Sequence, residues 1–223
     1  LLVAVPTESP SPARRASAPA FAGFDPMVFD LFALETFEER MATLRTEATP
    51  RLWALGTALA DDLALRLAAP TYVHVARHLR RHVHPPEDTW VAWSTSPRGY
   101  KSQIHFEAGV RAQGAFLRLT ALPEAGAVKH QFLAGLTPEL LQAKTQGPWT
   151  VSFTPDHHGA EEVPVAEAAS QWEHLVRRAA RAQSGFALVI HTPRPHVVER
   201  GAQYATDVLA QIDQLLPLLP RSL

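Results

Sequence analysis

The sequence predicts an α+β fold: one domain with a largely antiparallel sheet covered by helices, preceded by a disordered N-terminal tail. Three observations carry that prediction. "QIHFEAGV", residues 103–110, alternates apolar with polar residues, and "AFLRLTAL", residues 115–122, follows after a span that suits a hairpin turn. Helical stripes come in blocks rather than in strict alternation with strands, which argues against a parallel doubly wound sheet. The 223 residues are 46% hydrophobic, with no internal repeat and no second composition regime. That is enough apolar surface for one good core.

Residues 1–20, "LLVAVPTESPSPARRASAPA", are rich in Pro, Ser and Ala without a period. Such a segment cannot bury enough apolar surface to offset its ordering entropy, so it reads as a disordered tail with Arg14 and Arg15 solvated. The folded domain is expected over 21–223. Thr36 with Glu39 forms a capping box, and Phe37, Met41, Leu44 and Ala48 follow at helical spacing. Thr49-Pro50 reads as a fresh cap and first-turn proline, after which Leu52, Leu55, Leu59 and Leu63 resume the stripe. Two helices, or one kinked helix, satisfy that pattern.

"YVHVARHLRRHV" reads as a helix stopped ahead of Pro85-Pro86, since a residue before proline is pushed out of the α region. "DTWVAWST" is β-branched and aromatic and reads as a strand. In the hairpin, Ile104, Phe106, Ala108 and Val110 share one face, matched by Leu117, Leu119 and Ala121. A helix over about 126–144, a strand "WTVSFT" and a helix around "AASQWEHLVRRAARA" follow, the last with Trp172, Leu175, Val176 and Ala179 inward. A strand "FALVIHT" leads to a final helix that buries Tyr204, Val208, Ile212 and Leu215 and ends by Pro217.

Bulk charge excludes little and points nowhere. Against 22 acidic residues stand 21 basic ones, a net charge of -1, so no overall field draws the protein to nucleic acid or to an acidic membrane. Only Lys101, Lys129 and Lys144 are lysine. Codon bias in a GC-rich genome accounts for the excess of arginine, alanine and proline together. Cysteine is absent, which removes disulfides, thiolate nucleophiles and cysteine-held metals. No apolar run approaches the roughly 18 residues of a spanning helix. "LLVAV", interrupted by Pro6, is too short for a signal segment. A cytoplasmic setting is therefore expected. A start at Leu1 is what an alternative or misplaced start, or a truncated chain, would leave.

Seven sets of residues carry a resemblance to a known family. They are Phe29, Asp30 and Phe32; His74 to Arg81; Pro85 to Trp93; Arg98 to Lys101; His105 and Phe106; Asp156 and His157; and Pro193 with Arg194. In this order they resemble the YktB-like family of uncharacterised bacterial proteins over nearly the whole chain after the tail. The resemblance implies an α+β domain in a bacterial, cytoplasmic setting and hands no catalytic role to any residue. The chain departs from the family pattern at His82 and His84, and after Arg194, where "PHVVERGAQ" replaces a more acidic helix start.

Four groups of residues are candidates for chemistry. His74, His78 and His82 recur every four residues and would form a ridge on a helix. No metal is assigned to them, because Val75 rather than a glutamate follows His74 and no third ligand is fixed. Arg77, Arg80, Arg81, Arg98 and Lys101 cluster between a helix end and the turn-rich "SPRGYK" loop, against Glu87 and Asp88. Trp93 or Tyr100 could supply a stacking surface there. His105, Glu107, Arg111 and Arg118 lie on the hairpin face opposite the apolar set; that face is expected to be solvated, though a concave polar face can also floor a pocket. Asp156, His157 and Arg194 end two further strands and offer an acid, a base and an anion holder. No Walker motif, Gly-rich phosphate loop or Gly-x-Ser-x-Gly elbow occurs.

The function expected from these residues is an anion-binding module at the loop ends of the sheet. Arg81, Trp93, Arg98, Tyr100, Lys101 and Arg194 would gather a nucleotide, a phosphorylated metabolite or a nucleic-acid backbone. The alternatives are an acid–base enzyme that works through His105, Asp156 and His157 on a small anionic substrate, and an interaction protein without a small-molecule site. No cofactor and no membrane partner are expected. The anion-binding version requires Arg98 and Arg194 to meet at one end of the folded sheet.

Overall fold

Alternation of apolar and polar residues produces a seven-stranded sheet in the computed structural model, which describes residues 20–79, 83–153 and 161–220. The strands are β1 (Tyr72–Val75), β2 (Asp88–Ser94), β3 (Ile104–Arg111), β4 (Gly114–Ala121), β5 (Thr150–Ser152), β6 (Glu162–Pro164) and β7 (Phe186–Pro193). Their order is β1-β2-β3-β4-β7-β5-β6, and every neighbouring pair is antiparallel. The predicted hairpin closes through Ala112 and Gln113, with Arg111 opposite Gly114. Gly114 has φ +152°, and a Cβ there would lie 2.2 Å from the Thr192 carbonyl oxygen. Only glycine lets β7 approach β4 this closely.

One face of the sheet is covered by helices, as predicted. They are α1 (Met27–Asp30), α2 (Phe37–Thr43), α3 (Thr49–Leu67), α4 (Gly126–Ala134), α5 (Pro138–Lys144), α6 (Val165–Ala168), α7 (Trp172–Ala179), α8 (Arg194–Arg200) and α9 (Tyr204–Leu215). Ile104, Phe106, Ala108, Val110, Leu117, Leu119 and Ala121 are all buried against this layer, as are the α3 stripe Leu52, Leu55, Leu59 and Leu63 and the α9 stripe Tyr204, Val208, Ile212 and Leu215. α3 lies on β1 and β2, and α9 bridges α3 and β4. Trp93 joins the two layers: it is 1% exposed, and its Nε1 donates to the Gly56 carbonyl of α3 at 2.9 Å.

Several predicted elements are corrected. "YVHVARHLRRHV" is not a helix: Tyr72–Val75 is strand β1, followed by irregular chain through His78, and residues 80–82 lie outside the described residues. Val73 and Val75 flank His74, and β-branched residues at period two pair better with β2 than they pack in a helix. The four-residue histidine ridge therefore does not form. The helix predicted over 126–144 is two helices, because Thr137 caps Leu140 and Pro138 starts α5 anew. Thr36 caps α2, its Oγ1 accepting from the Glu39 amide at 3.3 Å. Thr49 does not cap: a π-helical turn, Leu44–Ala48, runs directly into α3. Widening the helix ahead of Pro50 accommodates a residue that lacks an N–H and crowds the preceding turn. The short strand β6 had no sequence signal strong enough to predict it. Of the predicted tail, only Ala20 falls within the described residues.

Candidate functional site

Side chains that point away from the helices form a second face, and on it the polar residues of the hairpin meet those of the outer strands. His74, Ala92, Glu107, Arg118, Val189 and Thr150 stand side by side across the sheet. The next row runs Trp90, Gly109, Phe116 and His191. The expectation that this face is solvated is overturned. Glu107 is 0% exposed, His105 2%, Arg118 5% and Asp88 6%.

Local chemistry explains the cover over His105. The Ser94 hydroxyl lies 3.1 Å from the Ser96 carbonyl and 3.2 Å from that of Gly99, and Thr95 bonds Gln103 at 2.9 Å. These bonds fold the β2–β3 loop back, so that the Tyr100 ring sits 4.8 Å from His105 and 5.8 Å from His74. Burial pushes the Tyr100 phenol far above its usual range, and the charge on Glu107 adds to this. Burial also lowers the proton affinity of His74, opposed by its bond to the Ser96 carbonyl and reinforced by His105 and Arg77.

Beneath the loop lies a buried charged group. His105 Nδ1 faces the Gln103 carbonyl at 2.8 Å, and Nε2 faces Glu107 Oε1 at 2.9 Å. Both ring nitrogens thus face acceptors. The Arg118 guanidinium sits 3.4 Å from Asp88 Oδ2, 4.0 Å from Glu107 Oε2 and 3.7 Å above the Phe116 ring. Phe116 lies across the strand because residue 109 is glycine; a Cβ there would come within 2.2 Å of the ring.

A second group stands at the other end of β3 and is only half-buried. Arg111 Nη2 donates to His191 Nδ1 at 3.0 Å, so Nε2 carries the hydrogen that His191 donates to Glu162 at 2.8 Å. Thr150 donates to the same carboxylate at 2.7 Å. Burial alone would raise the Glu162 pKa, but the bonds from His191 and Thr150 and the nearby charges outweigh it and hold the carboxyl at about 2. Burial lowers the Arg111 pKa, with Glu162 opposing and Arg118 adding. Among the described residues Arg111 makes this single side-chain bond and no ion pair.

A depressed carboxyl stabilises the fold above its unfolded value of 4.5 and ceases to do so as pH falls toward 2. Glu162→Gln is therefore expected to be less stable than the parent by about 2 kcal/mol near pH 6, after allowance for partial exposure. The two should converge near pH 2. Urea unfolding measured across that range checks this, and a constant difference would contradict it.

Among the described residues, the predicted anion-binding set does not gather at one place. Arg98 is exposed in the loop before β3, and Lys101, in the same loop, pairs with Glu124 at 3.5 Å. Arg194 lies past the other end of β3, where it pairs with Asp30 at 2.6 Å on the helical side and approaches the Phe29 ring. The eight residues of β3 separate the two ends, roughly 24 Å at the usual rise. The expected meeting of Arg98 and Arg194 is thus corrected. Trp93 belongs to the core and has no free ring face to offer a ligand. Tyr100 covers His105 rather than a loop-end cluster. Arg81, Asp156 and His157 lie outside the described residues. Asp88, Glu162 and His191 went unnoticed as partners on one face. Extending the two-residue period of "FALVIHT" to His191 places it beside Phe116, and that was the available signal.

Comparison with known proteins supplies a family but no activity. Residues 24–219 match the family described as a domain of unknown function, DUF1054. A UPF0637 protein of Bacillus cereus strain B4264 is 31% identical over 195 residues, covering 85% of this chain and 92% of the relative. A UPF0637 protein of Shouchella clausii is 31% identical over 205 residues, covering 90% and 95%. Among solved structures, a conserved hypothetical protein from Pyrococcus furiosus aligns with 76% of this chain and 94% of its own, at a TM-score of 0.39 and 11% identity. No helix among the described residues is long and apolar enough to cross a membrane.

Proposed function

The chain belongs to the DUF1054 family, the YktB-like group that its sequence resembles, and on that footing we propose that it binds a small anionic ligand on the polar face of its sheet, at Arg111. The observation that carries this reading is a half-buried guanidinium with spare donors. Arg111 gives one hydrogen to a histidine nitrogen and has no carboxylate within ion-pair distance among the described residues. A guanidinium has five N–H donors, and a partly desolvated one gains more from an anion than a solvated one. Trp90, on the same face and half-buried, offers an apolar wall.

The anion site thus moves from the loop ends to the sheet. Arg118 is committed to Asp88 and Glu107, and Arg194 to Asp30, which leaves Arg111 as the cation best placed for a ligand. A nucleic-acid backbone fits less well, because it needs a run of exposed cations rather than one recessed guanidinium. The acid–base reading is weaker still: His105 is 2% exposed with a protein partner on each nitrogen. A bacterial cytoplasmic setting is part of the proposal.

Titration calorimetry with phenyl phosphate tests it. Saturable binding is expected, weakened about tenfold or more in Arg111→Ala, in keeping with the roughly 1.5–3 kcal/mol of a hydrogen bond to a charged group. No saturable binding by the parent protein, or equal affinity in the variant, would overturn the reading.

A further inference from the structure

We propose that the anion taken at Arg111 is the doubly charged phosphate of a small monoester, and that its binding places a proton on His191. This rests on the anion-binding reading above and deepens it. The argument starts from what Arg111 does without a ligand. Its guanidinium donates to His191 Nδ1 at 3.0 Å and so occupies that nitrogen's lone pair. An anion that engages the spare donors and draws Nη2 toward itself along with them takes that hydrogen from His191 and frees Nδ1.

The freed nitrogen then lies next to a negative charge, while Nε2–H stays tied to Glu162 at 2.8 and 3.0 Å. Glu162 is locked in its charged form, braced by Thr150. A carboxylate on one side and an anion on the other both favour imidazolium. The site thereby offers two cations in place of one, Arg111 and His191. Two cations favour a dianion over a monoanion, and among common metabolite groups the phosphate monoester carries nearly two charges at neutral pH. The charged groups that bear on this balance are Glu162 from β6, Arg111 from β3 and, acting on Arg111, Arg118 from β4 and Asp88 from β2.

The step is a proton transfer from solvent and breaks no covalent bond of the ligand. Calorimetry on the full chain in two buffers of different ionisation enthalpy counts the protons taken up per ligand, with phenyl phosphate as monoester and methyl phenyl phosphate as diester. Net uptake above pH 7 with the monoester is expected, together with about tenfold preference over the diester, the worth of one further charge-assisted bond. Both should disappear in His191→Gln and in His191→Asn, and inorganic phosphate should share the uptake. Because the proton count is made on the parent protein, it stands even where a variant fails to fold. Equal affinity for monoester and diester without proton uptake overturns this inference and leaves the anion-binding reading in place. Failure of every probe to bind overturns both.

Discussion

Arg118→Ala is expected to cost the fold about 3–5 kcal/mol, the usual penalty for removing one partner from a buried charge pair. The side chain is 6% exposed and stands over two buried carboxylates, Asp88 and Glu107. Without it both carboxylates lose a buried cation, and the Phe116 ring loses its cover. Chemical denaturation at neutral pH measures the loss, and a value below about 1 kcal/mol would show that the guanidinium is not what keeps the acidic pair buried. Arg118→Met combined with Asp88→Asn and Glu107→Gln should recover most of the stability, since apolar and neutral replacements of a complete buried network are often near neutral. Phosphate affinity should return with stability, because Arg111 is untouched, and recovery of stability without affinity would place the Arg118 group in the ligand site.

Trp93→Ala is expected to cost about 3–5 kcal/mol for a different reason, the cavity left by a large core side chain. Trp93 is 1% exposed, fills the space between β2 and α3, and satisfies the Gly56 carbonyl. Trp93→Phe should keep part of the packing and lose the hydrogen bond. The phosphate affinity of the folded fraction should be unchanged in both, because this side chain lies on the far side of the sheet from Arg111. A large fall in affinity with little change in stability would instead return Trp93 to the ligand site.

These two residues show where the sequence is legible. The hairpin could be read because its period of two is unbroken, and the α9 stripe because its period of 3.6 is clean. Trp93 could not be placed, since a tryptophan in a strand has the same pattern whether its face meets a helix or a ligand. The stretch after Tyr72 misled because its histidines have helical spacing by coincidence while its valines alternate. Burial of the polar face was invisible for another reason. Over His105 it depends on the β2–β3 loop folding back through bonds from Ser94 and Thr95, and nothing in the strand pattern reports that. The half-buried group was hidden by distance: Arg111 and His191 stand 80 positions apart, and Glu162 lies on β6, beyond β5.

That spacing follows from the insertion of β7 between β4 and β5. Strands β1 to β4 form a meander whose neighbours are also neighbours in the chain, whereas β7 must travel back across the intervening helices to zip onto β4. Any fragment that stops short of residue 186 can contain every arginine of the hairpin and still lack the imidazole and the ladder that orient them. Limited proteolysis or ribosomal pausing ahead of that point would therefore leave Arg111 without its histidine partner, so the Arg111–His191–Glu162 bonds report that β7 has docked beside β4.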